Sequence, residues 1–194
     1  MGVMGAFIFA AQMINFSIPG TGSSGHLVGG ILLSAILGPW AALITLASVL
    51  VLQCLVFADG GFMALGANIL NMAVLSCLVA YPLLFRLLMK RNASPGRILA
   101  ASMIASVVGL ELGALAVTIE TEASGITALP MGQFLLFMLP IHLFIGVGEG
   151  LATAAVIYVV QKYKPELLYG VPGNALPESG GSERYLRRSR WRRC

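Results

Sequence analysis

Two histidines and a few carboxylates set in apolar sequence are the residues of this chain with chemistry to offer. His26 closes the run Gly20-Thr21-Gly22-Ser23-Ser24-Gly25. A neutral imidazole is a ligand for borderline divalent metals, and glycines let backbone fold tightly around a small ion. The plainer reading of the same stretch is a turn between two helices that carries a solvated histidine. His142 and Glu149 stand seven residues apart. Two helical turns put them on one face. Glu111 and Glu149 lie inside apolar runs. A charge at mid-bilayer costs about 2.5–3.5 kcal/mol, so such groups face the protein interior, either for function or as a polar network that fixes helix packing. Asp59 lies in a second glycine-rich stretch, residues 58–66, and Asn68 follows it closely.

The elements that must position these groups are membrane helices. Of the 194 residues, 58% are hydrophobic and 10% charged. A soluble domain has about 45–50% and about 25%. Residues 3–16 are apolar but shorter than the ~20 residues of a span, and residues 27–37 cover only about half a bilayer. The second of these segments is expected to be a short or partly re-entrant helix. Gly38-Pro39 breaks the chain, and Pro39 suits the first turn of the next helix. Longer apolar segments follow at residues 40–57, 66–89, 98–119 and 131–160. The fold expected is an all-α membrane bundle of about six transmembrane helices, the second short. Residues 1–164 form the membrane domain, and residues 165–194 form a polar, Arg-rich cytoplasmic tail without stable structure.

Charge gives the bundle a direction. With six helices, all 12 Lys and Arg fall on one face or at its helix ends, and the other face carries Asp59, Glu120 and Glu122. Positive charge stays cytoplasmic. Both termini are therefore expected inside, with the His26 and Asp59 loops facing out. The pairs Gly109/Gly113 and Gly146/Gly150 allow close helix packing, or a docking face for another membrane subunit. Three cysteines, Cys54, Cys77 and Cys194, match no zinc or redox spacing. There is no phosphate-binding loop and no dinucleotide fingerprint. The arginines of residues 184–193 are placed to touch anionic lipid headgroups. Without a folded context they do not read as a nucleic-acid site.

Three stretches carry a resemblance: AFIFAAQMINFSIPGTGSSGHLVGGILLSAILGPWAAL at residues 6–43, FADGGFMALGANILNMAV at 57–74, and HLFIGVGEG at 142–150. They resemble the CbiM/NikM family, the membrane substrate-capture subunits of cobalt and nickel energy-coupling-factor transporters. The resemblance implies a multi-pass protein of the cell membrane that is not itself an enzyme and has no resident cofactor. It implies capture of Co²⁺ or Ni²⁺ at the outer face. Its implied partners are a transmembrane coupling subunit, cytoplasmic ATPase subunits and a small accessory membrane subunit. In the family the histidine of the glycine-rich loop ligates the metal, and that position is His26. Ser24, Asp59, Asn68, Glu111, His142 and Glu149 are the residues expected to support or line the site.

The family's other ligands come from a Met-His start: the amine, the next backbone nitrogen and a histidine at position two. This sequence begins Met-Gly-Val-Met-Gly, with no histidine before His26. The expectation is a truncated start, with a companion polypeptide or a degenerate protein as the alternatives. Two other functional classes remain open. One is a proton-coupled carrier with Glu111, His142 and Glu149 as its relay. The other is a rhomboid-like intramembrane protease, with Ser24 as nucleophile and His142 as base.

One imidazole does not fill a dication's coordination shell. The 194 residues alone are therefore expected to bind Ni²⁺ only weakly. Calorimetry that finds submicromolar binding to this chain would contradict that expectation.

Overall fold

Apolar residues on every side of four long segments leave the backbone no solvent to bond to, so each segment winds into a helix that satisfies its own amides. The computed structural model describes residues 1–89, 93–126 and 129–170. In chain order these form α1 (Gly2–Gln12), β1 (Asn15–Ile18), β2 (Ser23–His26), α2 (Gly30–Leu37), α3 (Pro39–Phe57), α4 (Leu65–Leu88), α5 (Pro95–Ser124) and α6 (Met131–Tyr163). The helices α3, α4, α5 and α6 are long and apolar enough to cross a membrane. At 11 and 8 residues, α1 and α2 are not. Among the described residues six helices form and the second is short, as the sequence implies, but four of them have the length of a span.

Local chemistry sets the boundaries. Gly38 (φ 85°) turns the chain and Pro39 opens α3. Ser94 caps α5 by accepting the Arg97 amide at 3.3 Å, and Gly125 (φ 67°) ends that helix. Within α4, residues Ile69–Phe85 are wound in wide π turns, with Pro82 inside the stretch. Helices α5 and α6 lie antiparallel. Gly150 faces Met103 and Gly146 faces Val107, so closely that an added Cβ would stand 2.8 Å and 2.9 Å from the backbone opposite. The Gly146/Gly150 pair is thus used for packing within the bundle. Gly109 and Gly113 serve α4 in the same way, against Ala80 and the Asn71 carbonyl.

The first apolar segment is the point of departure from the sequence reading. Residues 3–16 suggested one helix, but α1 stops at Gln12 and Asn15 begins a strand. The glycine-rich stretch is a β-hairpin, with Asn15 opposite His26 and Ile18 opposite Ser23. Its turn depends on Gly20 and Gly22, both at positive φ. The Thr21 hydroxyl donates to the Ile18 carbonyl at 2.9 Å and accepts the Ser23 amide at 3.1 Å. Ile18 then plugs a buried cluster of Ala114, Phe134 and Met138 between α5 and α6. Two strands alone are marginal. The anchor on the long helices is what holds this pair.

The two ends of the bundle differ in sign. The hairpin end holds Asp59, Glu120 and Glu122, and the opposite end holds Arg86, Arg97, Lys162 and Lys164. Lys90 and Arg91, and residues 171–194 with their arginines and Cys194, lie outside the described residues. Residues 165–170, where the sequence placed the start of the polar tail, pack onto the bundle. Leu168 is buried, the Tyr169 amide donates to the Ala35 carbonyl at 2.8 Å, and the Tyr81 hydroxyl donates to the Tyr169 carbonyl at 2.9 Å.

Close approach at the start of α2 makes a test. A Cβ on Gly30 would overlap the buried Ser76 hydroxyl, whereas Gly66 has open space around it. Gly30→Ala is expected to cost about 1–3 kcal/mol. Gly66→Ala, in an unobstructed helical position, is expected to add about 0.5–1 kcal/mol. Thermal unfolding in detergent compares the two.

Candidate metal-binding cavity

The hairpin does not end at the surface. Strand β2 delivers His26, and Leu27, Val28 and Gly29 then carry the chain inward to the start of α2. His26 Nδ1 lies 2.8 Å from the Leu27 carbonyl. A carbonyl can only accept, so Nδ1 bears the proton and Nε2 keeps a free lone pair. His142 has the same arrangement, its Nδ1 donating to the Met138 carbonyl at 2.8 Å. That ring bonds its own helix and not a serine. Orienting one ring nitrogen on a backbone carbonyl is the usual preparation of the other for a metal.

Val28 is clamped from both sides. Its amide donates to Glu149 Oε2 at 2.6 Å, and the Gly29 amide also bonds that carboxylate. Its carbonyl accepts from Gln12 Nε2 at 2.8 Å, and Gln53 Nε2 donates to Gln12 Oε1 at 3.0 Å. Gln12, Gln53 and Glu149 are all buried. A carboxylate buried this way is tolerable because it accepts from amides and sits at a helix N-terminus, the positive end of the α2 dipole. Gly29 (φ 75°) is required here by conformation and by contact, since a Cβ would meet Ile8.

A cavity of about 1060 Å³ opens beneath the hairpin and reaches Glu149. His26, His142, Glu149, Asn71, Ser106 and Met138 are among its walls. Six of the seven residues expected at the site thus find distinct places around one space. His142 and Glu149 face it from α6, and His26 faces it from the end of β2. Ser24 lines it from β2, opposite Ser17. Asp59 lines it at the rim, accepting from Asn15 Nδ2 at 3.3 Å and so tying the hairpin to the α3–α4 loop. Asn68, also in the wall, closes that loop by donating to the Gly60 carbonyl at 3.3 Å. Glu111 is the exception. Leu110 and Ala114 on α5 line the cavity and Glu111 does not. It is half-buried on a neighbouring face, with one oxygen unpartnered.

The structure adds residues that sequence reasoning missed. Gln12 and Gln53 build the clamp, Asn71 donates to Glu120 at 2.7 Å across the rim, and Ser106 places an unpartnered hydroxyl in the wall. The available signal was uncharged: a lone Gln or Asn in an apolar helix, which a search for carboxylates passes over. Among the described residues no three of His, Cys, Asp and Glu gather closely enough to hold a metal ion.

Residues 1–167 match the family model CbiM, described as the cobalt uptake substrate-specific transmembrane region. The NikMN protein of Archaeoglobus fulgidus is 42% identical over 171 residues, which cover 86% of this chain and 54% of that relative. The cobalt transport protein CbiM of Desulforamulus reducens is 30% identical over 173 residues, 89% of this chain and 68% of that relative. A crystal structure of a transition metal transporter superposes with a TM-score of 0.73 at 35% identity, covering 82% of this chain and 74% of the other. The chain spans about half the length of the NikMN relative it matches.

The clamp predicts a graded response at Glu149. Glu149→Leu leaves the Val28 and Gly29 amides buried without an acceptor and is expected to cost about 2–3 kcal/mol or more. Glu149→Gln keeps an acceptor oxygen and is expected to cost clearly less. Equal losses in unfolding midpoint would show that the carboxylate oxygens do not hold the loop.

Proposed function

The chain belongs to the CbiM family of cobalt-uptake transmembrane proteins, and from that premise we propose that it is the membrane subunit that captures Co²⁺ or Ni²⁺ for an ATP-driven importer. The observation that carries this reading is the His26 ring. It lines the cavity with Nδ1 occupied by its neighbour's carbonyl and Nε2 unengaged among the described residues. Imidazole nitrogen suits both ions. Relatives are named for nickel and for cobalt, and the proposal leaves the two together.

Capture takes place from outside the cell membrane. The separation of Asp59, Glu120 and Glu122 from Arg86, Arg97, Lys162 and Lys164 supports this orientation, since basic ends stay cytoplasmic. An acidic rim also raises the local concentration of a dication. His26 supplies one ligand, so tight capture needs further donors. Glu149, Gln12 and Gln53 keep that ligand in place from beneath, and Asp59 and Asn68 hold the rim. Energy comes from partner ATPase subunits through a transmembrane coupling subunit. No phosphate-binding motif is present in the 194 residues. A proton relay through Glu111, His142 and Glu149 has weaker support, because Glu111 stands off the cavity that the other two share.

Two measurements test this. In the complete transporter, His26→Ala is expected to abolish Ni²⁺ or Co²⁺ uptake while the subunit still folds and assembles, and undiminished uptake would refute the assignment. A cysteine placed beside His26 is expected to react with an impermeant maleimide added outside intact cells. Reaction only from the cytoplasmic side would invert the orientation.

A further inference from the structure

The second histidine has no place in the ligand set that the resemblance implies, yet it meets the same conditions as the first. We propose that His142 is itself a metal ligand, and that the cavity holds a dication between the Nε2 atoms of His26 and His142 with the Asn71 side-chain oxygen as a further donor. The proposal rests on the capture reading and adds residues to its site.

Depth along the bundle supports it. Gly146 lies against Val107 and Gly150 against Met103. In an antiparallel pair that register sets His142 level with residue 111 of α5. The Asn71 carbonyl touches the Cβ position of Gly113, so Asn71 stands within about 3 Å of the same level. His26 comes to that level from below. Glu149 is two turns beneath His142, about 10 Å, and its side chain leans back toward the helix N-terminus. It holds the Val28 amide. Two residues of chain separate Val28 from His26, a reach of at most about 7 Å. Both rings line the same cavity.

Donor chemistry supports it as well. Both Nδ1 atoms are tied to backbone carbonyls at 2.8 Å, which leaves both Nε2 atoms free among the described residues. Asn71 is buried, its Nδ2 is committed to Glu120 at 2.7 Å, and its Oδ1 has no partner among the described residues. A buried amide oxygen left unbonded in a polar cavity wall is costly unless something occupies the space before it. Two imidazoles and an amide oxygen form a set of nitrogen-rich, neutral donors that fits Ni²⁺, Co²⁺ or Cu²⁺ and disfavours Mg²⁺ and Ca²⁺. One cation shared by two neutral rings and no carboxylate is held loosely enough to be passed on.

The chain has two histidines, so they can be counted spectroscopically in protein carrying no histidine tag. Cu²⁺ is the probe, because it binds nitrogen sites most tightly of the first-row dications. Electron spin-echo envelope modulation of the Cu²⁺-loaded chain is expected to show two equatorial imidazoles. His142→Gln is expected to show one, His26→Ala one, and the double variant none. The Cu²⁺ dissociation constant is expected to rise about tenfold or more in His142→Gln, at least the loss seen when a mere supporting partner is removed. A single imidazole in the unaltered chain, lost only in His26→Ala, overturns the proposal and leaves the capture reading standing. A single imidazole lost only in His142→Gln removes His26 from the site and sinks the capture reading. A variant that does not fold is replaced by a measurement on the unaltered protein: Ni²⁺ is expected to protect both histidines from diethyl pyrocarbonate. Modification of His142 at the same rate with and without the metal also overturns the proposal.

Discussion

The bond from the Val28 amide to Glu149 is the constraint on which the arrangement depends. Without it, residues 27–29 are a glycine-flanked connection held only by the Gln12 bond to the Val28 carbonyl. With it, a strand that begins at the bundle's end is drawn into the interior and held there. The bond works because three costs cancel in one place. A carboxylate in an apolar interior is unfavourable, an unbonded pair of amides at a helix start is unfavourable, and a helix dipole facing low-dielectric surroundings is unfavourable. Bringing the carboxylate to the start of α2 relieves all three. Gln12 and Gln53 complete the clamp on the carbonyl side, so both polar groups of the Val28 peptide are satisfied from different helices.

That clamp divides the polar residues by task. Glu149 acts on the backbone, and the His26 ring, whose position is already decided, keeps Nε2 unengaged among the described residues. Asp59 and Asn68 likewise spend their hydrogen bonds on loops. The histidines differ from all of these in keeping an unengaged nitrogen. A side chain that holds the fold and a side chain that offers an open valence can stand a few ångströms apart in the same wall, and the hydrogen-bond pattern separates them where proximity does not.

Much of the fold was legible in the sequence because apolar length and charge sign are strong signals in membrane helices. The break at Gly38-Pro39, the short α2 and the unlike ends all follow from them. The hairpin was not legible. Residues 13–16 continue an apolar run, and the hairpin they enter is anchored by the burial of Ile18 between α5 and α6, a contact between residues about a hundred positions apart. At the site, His26, His142 and Glu149 stood out because charge or titratable nitrogen in an apolar run is rare. Glu111 stood out for the same reason and lies elsewhere, since a position one residue along a helix turns about 100° away. Gln12, Gln53 and Asn71 were hidden by being neutral, although their hydrogen bonds do more to shape the cavity than Glu111 does.

Helix α2 has a mechanical consequence. Its eight residues are buried almost all round and form a stiff rod about 12 Å long. One tip rests on Glu149 and the other, at Ala35, is gripped by the Tyr169 amide at the far end of the bundle. A rod pinned at both tips transmits displacement instead of absorbing it. Whatever tugs on the chain beyond Tyr169 therefore acts, through a single rigid piece, on the peptide that seats the first histidine.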